Sequence, residues 1–492
     1  MNVELPTAPG PRPMFGLGVR GNALVWMRDP IGYAGRLFAR YGNVASLVRG
    51  PLRIVHPGPT PHVPSLRHAR GAGVVLVNGA DLNREVLTDH ERYFMVALPG
   101  RMFPLGEPTE RQRPLVRTMT GLFHVNGPEH RKHRRLLMPA FHKTRIDAYR
   151  DDMVRITEGV LAPWRAGETR DVHADMTELT LRVATKTLFG EEEGARGADL
   201  ARKMQRWLEC MISPGMLVPL DRRPLPYWRF LNLTREIDEQ TAAILRDRRR
   251  RGEGADMLSM LLAARDEDGS ALDEDELVGH TGVIFAAGHE TSTNALAWTL
   301  LLLSQHPSVL RDLDDELATL RGGPPAVEDL ARLPLLDAVV KESMRLLPPV
   351  PIHPRVVAED SELGGHRFPA GSEIFLSIFH MHHDPKVFAD PEAFSPRRWE
   401  TIKPSVYEYN PFSAGPRMCI GASFATMEIK IVLAMLLARF WPELPRGARV
   451  DPRVAITMAP RGGLRLTLRP RGTPPRLHRF EGNVRKLARW PS

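Results

Sequence analysis

The chain has 492 residues, 42% of them apolar, with 67 Lys+Arg against 58 Asp+Glu, a net charge of +9 and a pI near 9.8. Its two cysteines, Cys210 and Cys419, are too few for a disulfide framework, so a cytoplasmic protein is expected. No apolar run approaches the ~20 residues of a membrane span, Pro6, Pro9, Pro11 and Pro13 break any signal-peptide core, and no aromatic-plus-basic nucleic-acid module accompanies the positive charge.

Residues 1–30 are Pro/Gly-rich and then weakly apolar, and read as extended, with 1–13 as the lead-in proper. A helical pattern covers Ile31 to Tyr41, and Val44 to Val48 and Val74 to Val77 read as short strands. Pro51 to Arg70, rich in Pro and His, reads as an inserted surface loop. Ala80 to Thr88 is a short helix, and residues 93–128 scatter apolar side chains among prolines and charges. The run Gly127-Pro128-Glu129-His130-Arg131-Lys132-His133-Arg134-Arg135 follows. Pro128 suits a first helical turn, and His130 and Arg134, four apart, share one face. Alone, such a basic run reads as a solvated helix face or a nucleic-acid patch.

Amphipathic helices are expected over 147–188, Leu200 to Ile212 and Tyr227 to Arg250, with a proline-broken apolar connector between the last two. A long helix starts near Asp273 with acidic residues in its first turn, as the helix dipole favours. Its middle reads Ala286-Ala287-Gly288-His289-Glu290-Thr291-Ser292. Glycine inside a helix costs about 1 kcal/mol relative to Ala, which points to a use for Gly288. Thr291 can bond back to a carbonyl of its own helix, and Glu290 beside it puts an acid next to an alcohol, as a proton relay needs.

Glu342 and Arg345 lie three apart on a helix that begins near Leu335. Arg355 follows on a first strand of a small sheet. His380, His382 and His383 lack the acidic or Cys partners of a metal site. Then comes Phe412-Ser413-Ala414-Gly415-Pro416-Arg417-Met418-Cys419-Ile420-Gly421, with a helical pattern just after it. A helix start helps keep a thiolate ionised, glycines leave room for a flat group, and Arg417 can neutralise a carboxylate. This is the chemistry of a cysteine-ligated haem. Residues 471–492 are basic and mostly polar, and read as a loosely held tail.

The spacing Phe412, Gly415, Arg417, Cys419, Gly421 resembles the haem-binding loop of the cytochrome P-450 family. Three further motifs fit in order: Gly127-Pro128 with His130 and Arg134, Ala287-Gly288-His289-Glu290-Thr291, and Glu342/Arg345 followed by Leu346-Leu347-Pro348-Pro349-Val350-Pro351. The resemblance implies a mainly α fold with a small β portion, in one domain over 14–470. It implies haem b (iron protoporphyrin IX) with Cys419 as the axial iron ligand. Phe412, Gly415, Arg417 and Gly421 would surround that ligand. His130, Arg134, Arg355 and Arg417 would pair with the propionates. Ala287 and Gly288 would let the haem face and dioxygen approach the helix, with Thr291 and Glu290 guiding protons. Arg398, in Pro396-Arg397-Arg398-Trp399, would complete a buried scaffold with Glu342 and Arg345. Residues 93–128 and the connector before Tyr227 would cover the pocket, and Ile284, Phe285, Val350, Ile352 and Ile456 would line it. The implied reaction is insertion of one oxygen atom from O2 into an apolar fatty acid, terpenoid, steroid or polyketide-like molecule. With no flavin or nicotinamide fingerprint, electrons would come from an acidic ferredoxin or flavodoxin with its reductase, steered by the excess positive charge. The alternatives are a haem-thiolate peroxygenase or isomerase, a non-catalytic haem-binding sensor, and a basic nucleic-acid binder.

Overall fold

We describe the protein from a computed structural model. The structure describes all residues except 1–2, 55–70, 96–107, 119–120, 191–194, 212–215, 217–219, 253, 255, 321–322 and 492. Most of the expected surface insertion, much of the expected pocket cover and part of the apolar connector therefore lie outside the described residues.

Helices dominate. They are α1 (Gly18–Arg28), α2 (Pro30–Tyr41), α3 (Ala80–Thr88), α4 (Arg113–Thr118), α5 (Gly127–Leu137), α6 (Lys143–Ala148), α7 (Arg150–Leu161), α8 (Val172–Phe189), α9 (Ala195–Met211), α10 (Pro226–Arg251), α11 (Met257–Ala263), α12 (Glu274–Gln305), α13 (Pro307–Leu317), α14 (Val327–Leu330), α15 (Pro334–Leu346), α16 (Ile378–His382) and α17 (Ala422–Leu437). The strands are β1 (Val44–Ser46), β2 (Val74–Val77), β3 (Tyr93–Phe94), β4 (Thr169–Asp171), β5 (Ile352–Val357), β6 (Ser361–Leu363), β7 (His366–Phe368), β8 (Glu373–Ser377), β9 (Phe440–Glu443), β10 (Pro452–Val454), β11 (Met458–Pro460) and β12 (Arg465–Pro470). A five-stranded sheet runs β1-β2-β8-β5-β3, with β2 parallel to β8 and the other pairs antiparallel.

The organising element is α12. Asp273 caps it: its carboxylate accepts from the Glu276 N–H at 2.8 Å, and the Glu276 carboxylate accepts from the Asp273 N–H at 2.8 Å. From Ser292 to Gln305 every residue is buried, against α8, α15 and α17 among others. A helix apolar on all sides must sit inside a core, and this one fixes where its N-terminal half points.

Two expectations fail. Residues 18–28 are helical, not extended. The fully buried residues of α1 are Gly21, Asn22 and Trp26, while Val19, Ala23 and Val25 pack partly buried against the Trp26 cluster, a short stripe that the surrounding glycines and polar residues hide. Trp26 packs on Tyr33 and Phe375, and the Asn22 amide donates to the Tyr33 hydroxyl at 3.3 Å. Nor are residues 471–492 loosely held. Phe480, Val484, Leu487, Ala488 and Trp490 are buried in the main core, and the Arg489 N–H donates to the Glu392 carbonyl at 2.8 Å. Exposed Arg479, Lys486 and Arg489 set the basic composition while the apolar residues between them dock. Among the described residues no helix is long and apolar enough to cross a membrane.

Candidate functional site

Cys419 sits in the loop before α17, and its N–H donates to the Phe412 carbonyl at 2.8 Å. Its side chain is exposed, yet the protein packed around it raises the thiol pKa by burial, opposed by the Gly421 N–H and by the Arg134 charge. An accessible atom so enclosed lines an inner hollow rather than the outer surface. Gly415 has a different task from the one expected. Its φ is +67°, and a Cβ there would stand 2.4 Å from the Leu87 carbonyl oxygen, so it is needed for the turn and for α3 to approach. At Gly421 a Cβ would meet only a Phe141 ring carbon at 3.7 Å, an ordinary contact.

Around this loop stand three guanidinium groups. Arg417 is buried and donates to the Leu122 carbonyl at 2.9 Å, the Val125 carbonyl at 2.6 Å and the Asn126 side chain. Arg355 on β5 is buried and donates to the Pro354 carbonyl at 2.7 Å. Arg134 on α5 donates to the Met418 carbonyl at 2.8 Å, which ties α5 to the cysteine loop. Burial, then the charges of Arg355 and Arg134, push the Arg417 pKa down to about 9, and burial pushes Arg355 down to about 10. His130 and His124 are buried, and neither ring nitrogen of either finds a partner among the described residues. Burial, with Arg417 next in weight, holds both near a pKa of about 3, so both are neutral at pH 7. No carboxylate pairs with Arg355 or Arg417 among the described residues.

The third wall is the middle of α12. Ile284, Ala287, Gly288 and Thr291 are partly exposed and share one face, whereas Phe285, His289 and Ser292 on the opposite face are buried. A side chain at Gly288 would meet nothing within 4 Å. The Thr291 hydroxyl donates to the Ala287 carbonyl at 2.9 Å. Glu290 is not joined to Thr291, since neighbours on a helix diverge. Its carboxylate instead accepts from the Thr457 hydroxyl at 2.8 Å, just before β11. Phe285 has no accessible surface and packs in the main core, so it lines no pocket, which corrects its expected place. Ile456 is exposed and Val350 partly so, while Ile352, also partly exposed, packs against the Trp26–Phe375 cluster.

Behind the loop lies a closed ionic network. Both Arg345 and Glu342 have fully buried side chains, joined at 2.8 and 2.9 Å. Glu342 also accepts from Arg398 at 2.9 Å, the Trp399 indole at 3.0 Å and the Ser395 N–H at 3.0 Å. Arg345 donates its remaining protons to the carbonyls of His382, Pro391 and Ala393. His380 and His383 are likewise structural, bonded to the Ser377 hydroxyl and the Phe379 carbonyl, and His382 accepts from the Asn410 N–H at 3.1 Å. The free thiol of Cys210 is partly buried beside a small apolar cluster.

The sequence reading missed three groups here. Neither His124 nor His353 carries a local pattern; each is buried beside an arginine only once the chain folds. Glu428 on α17 was detectable, as a lone acid between Met427 and Ile429 on an apolar helix. It is buried facing Ser292, and burial pushes its pKa up to about 8.

The comparisons with known proteins agree with this geometry. The family model described as Cytochrome P450 matches residues 66–464. A cyclooctat-9-en-7-ol 5-monooxygenase of Streptomyces melanosporofaciens is 31% identical over 447 residues, 88% of each chain. A cytokinin hydroxylase of Arabidopsis thaliana is 32% identical over 367 residues, 71% of this chain and 72% of its own. In structure, a cyanobacterial CYP120A1 with retinoic acid bound superposes with a TM-score of 0.76 at 25% identity, covering 95% of this chain and 100% of that one. With its haem-iron cofactor implied by that family, the chain belongs to the cytochrome P450 family and is one of its monooxygenases.

Proposed function

We propose that this monooxygenase holds haem b through Cys419 and hydroxylates an apolar organic molecule, with electrons delivered by an acidic ferredoxin or flavodoxin. The observation that carries the reading is the inward cluster of Arg134, Arg355 and Arg417 beside the Cys419 thiol, with no carboxylate opposite Arg355 or Arg417 among the described residues. Buried cations need an anion, and the two propionates of a haem supply the right number and sign. His130 and His124 add buried nitrogens able to bond the same groups. The residues present therefore fit the cofactor. When bound, haem supplies the oxygen-activating and electron-accepting chemistry; the polypeptide does the rest.

Cys419 is the iron ligand, favoured as thiolate by Arg134 and the Gly421 N–H. Gly288 and Ala287 leave the α12 face low enough for a planar group to approach. Thr291 holds a proton on its Oγ at that open face. Glu290 resupplies it after letting go of Thr457 and turning toward the pocket. Ile284, Val350 and Ile456 offer an apolar wall that favours a lipophilic substrate such as a terpenoid, steroid, fatty acid or polyketide-like molecule and excludes water from the reacting centre. The net charge of +9 suits an acidic electron donor. The reading is tested by reconstituting the haem protein with a bacterial ferredoxin and its reductase under ¹⁸O₂, with terpene and fatty-acid panels. One ¹⁸O atom per product molecule is expected. Turnover with hydrogen peroxide but none with the reductase and O2 would favour the peroxygenase alternative.

A further inference from the structure

We propose that Glu129, His133 and Glu276 form a binding site for one first-row divalent cation of the zinc class, at the junction of α5 and α12 and separate from the haem. The ligand atoms of the three side chains lie within 4.8 Å of one another. Glu129 and His133 are four apart on one face of α5, and Glu276 comes from the first turn of α12. His133 Nε2 and Glu276 Oε1 are 3.0 Å apart. Ligands around a tetrahedral Zn²⁺ stand roughly 3.3 Å apart, given bonds of ~2.0–2.1 Å, so a small outward shift admits the ion.

The atoms behind two of the ligands are already held. His133 Nδ1 lies 3.1 Å from His280 Nε2, and the second Glu276 oxygen accepts from the Asp273 N–H at 2.8 Å. Metal-binding imidazoles use their second nitrogen in this way, which fixes the tautomer and the ring orientation. The rings of His133 and His280 meet edge to face with centroids 4.9 Å apart. His280 Nε2 is placed to accept from His133 Nδ1–H. That leaves His133 Nε2 free to bind a cation. Two carboxylates also make the filled site neutral, which matters beside the positive end of α12. Entry is open: the Glu276 side chain is 23% exposed and Glu129 is partly exposed, while His133 forms the buried floor. The ion would clamp α5, which carries His130 and Arg134, to the base of α12.

The competing reading is a plain His133–Glu276 hydrogen bond with no affinity for metal. The haem-loaded protein, stripped with chelator and dialysed, is titrated with Zn²⁺ by calorimetry, and its metal content is read by mass spectrometry after desalting. One retained Zn²⁺ per chain is expected beyond the haem iron. His133→Ala and Glu129→Gln should each weaken binding by roughly tenfold or more. His142→Ala, at an exposed position, should change nothing. At one Zn²⁺ concentration the thermal midpoint of the wild type should rise by more than that of Glu129→Gln. Glu129→Gln removes a partly exposed carboxylate and keeps the test alive should His133→Ala fail to fold. Binding by Glu129→Gln as tight as by wild type, or no stoichiometric binding by wild type, would overturn the proposal.

Discussion

At Glu342 one buried carboxylate gathers two guanidinium groups, an indole N–H and a backbone N–H, and the leftover donors of Arg345 end on carbonyls. At Arg355 and Arg417 two buried guanidinium groups, with Arg134 nearby, repel one another and meet carbonyls but no carboxylate among the described residues. The first group is complete within the polypeptide and serves the fold. The second finds no balancing anion among the described residues, the charge pattern expected of the cofactor site proposed above. Burial alone does not separate structural charges from functional ones; the charge sum within the cluster does.

Substitutions should move the two clusters in opposite directions. The largest stability loss is expected for Arg345→Leu, which leaves the Glu342 carboxylate underpaired in the core. A loss of about 3–5 kcal/mol is expected, with or without haem, measured by chemical denaturation of both forms. Arg355→Met should behave otherwise. In haem-free protein it removes an uncompensated buried cation, so the thermal midpoint should hold or rise. In loaded protein it should speed haem loss to apomyoglobin by about tenfold, a differential cost of roughly 1.4 kcal/mol. Equal destabilisation of both forms would erase the distinction drawn here.

A smaller effect separates a third kind of buried charge, the lone acid. The Glu428 pKa is raised by burial from 4.5 to about 8. Between those values the folded chain keeps a proton that the unfolded chain has released, so stability falls as pH rises through that window. Above about pH 8 both states are ionised and the penalty is constant. Glu428→Gln should therefore be more stable than wild type at pH 8, by up to a few kcal/mol, with the gap closing toward pH 5. A gap independent of pH would mean that Glu428 is ionised in the folded protein.

The same contrast accounts for what was legible in the sequence. The helix start near Asp273 and the Thr291 back-bond depend on residues within one or two helical turns, so spacing exposes them, whereas the mainly α fold and the Glu342–Arg345 pair, whose spacing recurs elsewhere in the chain, were singled out by the family motifs. Arg398 needed the family motif, because its partner lies 56 residues away. What escaped was set by tertiary contact. α1 buries Gly21 and Asn22 beside its short apolar stripe, the final segment docks beneath its own charges, and Phe285 turns its ring into the core one residue from the open face. Glu290 lies beside Thr291 in sequence, yet its hydrogen bond goes to Thr457, 167 residues on. His133, His280 and Glu276 meet only because α5 crosses the base of α12.

The most direct measurement is the absorbance of the reduced, carbon-monoxide-bound protein. The expected result is a Soret band shifted strongly to the red in wild type and in Cys210→Ala, and absent in Cys419→Ala even where haem is retained. A wild type without that shift, or a Cys419→Ala variant that keeps it, would contradict Cys419 as the iron ligand.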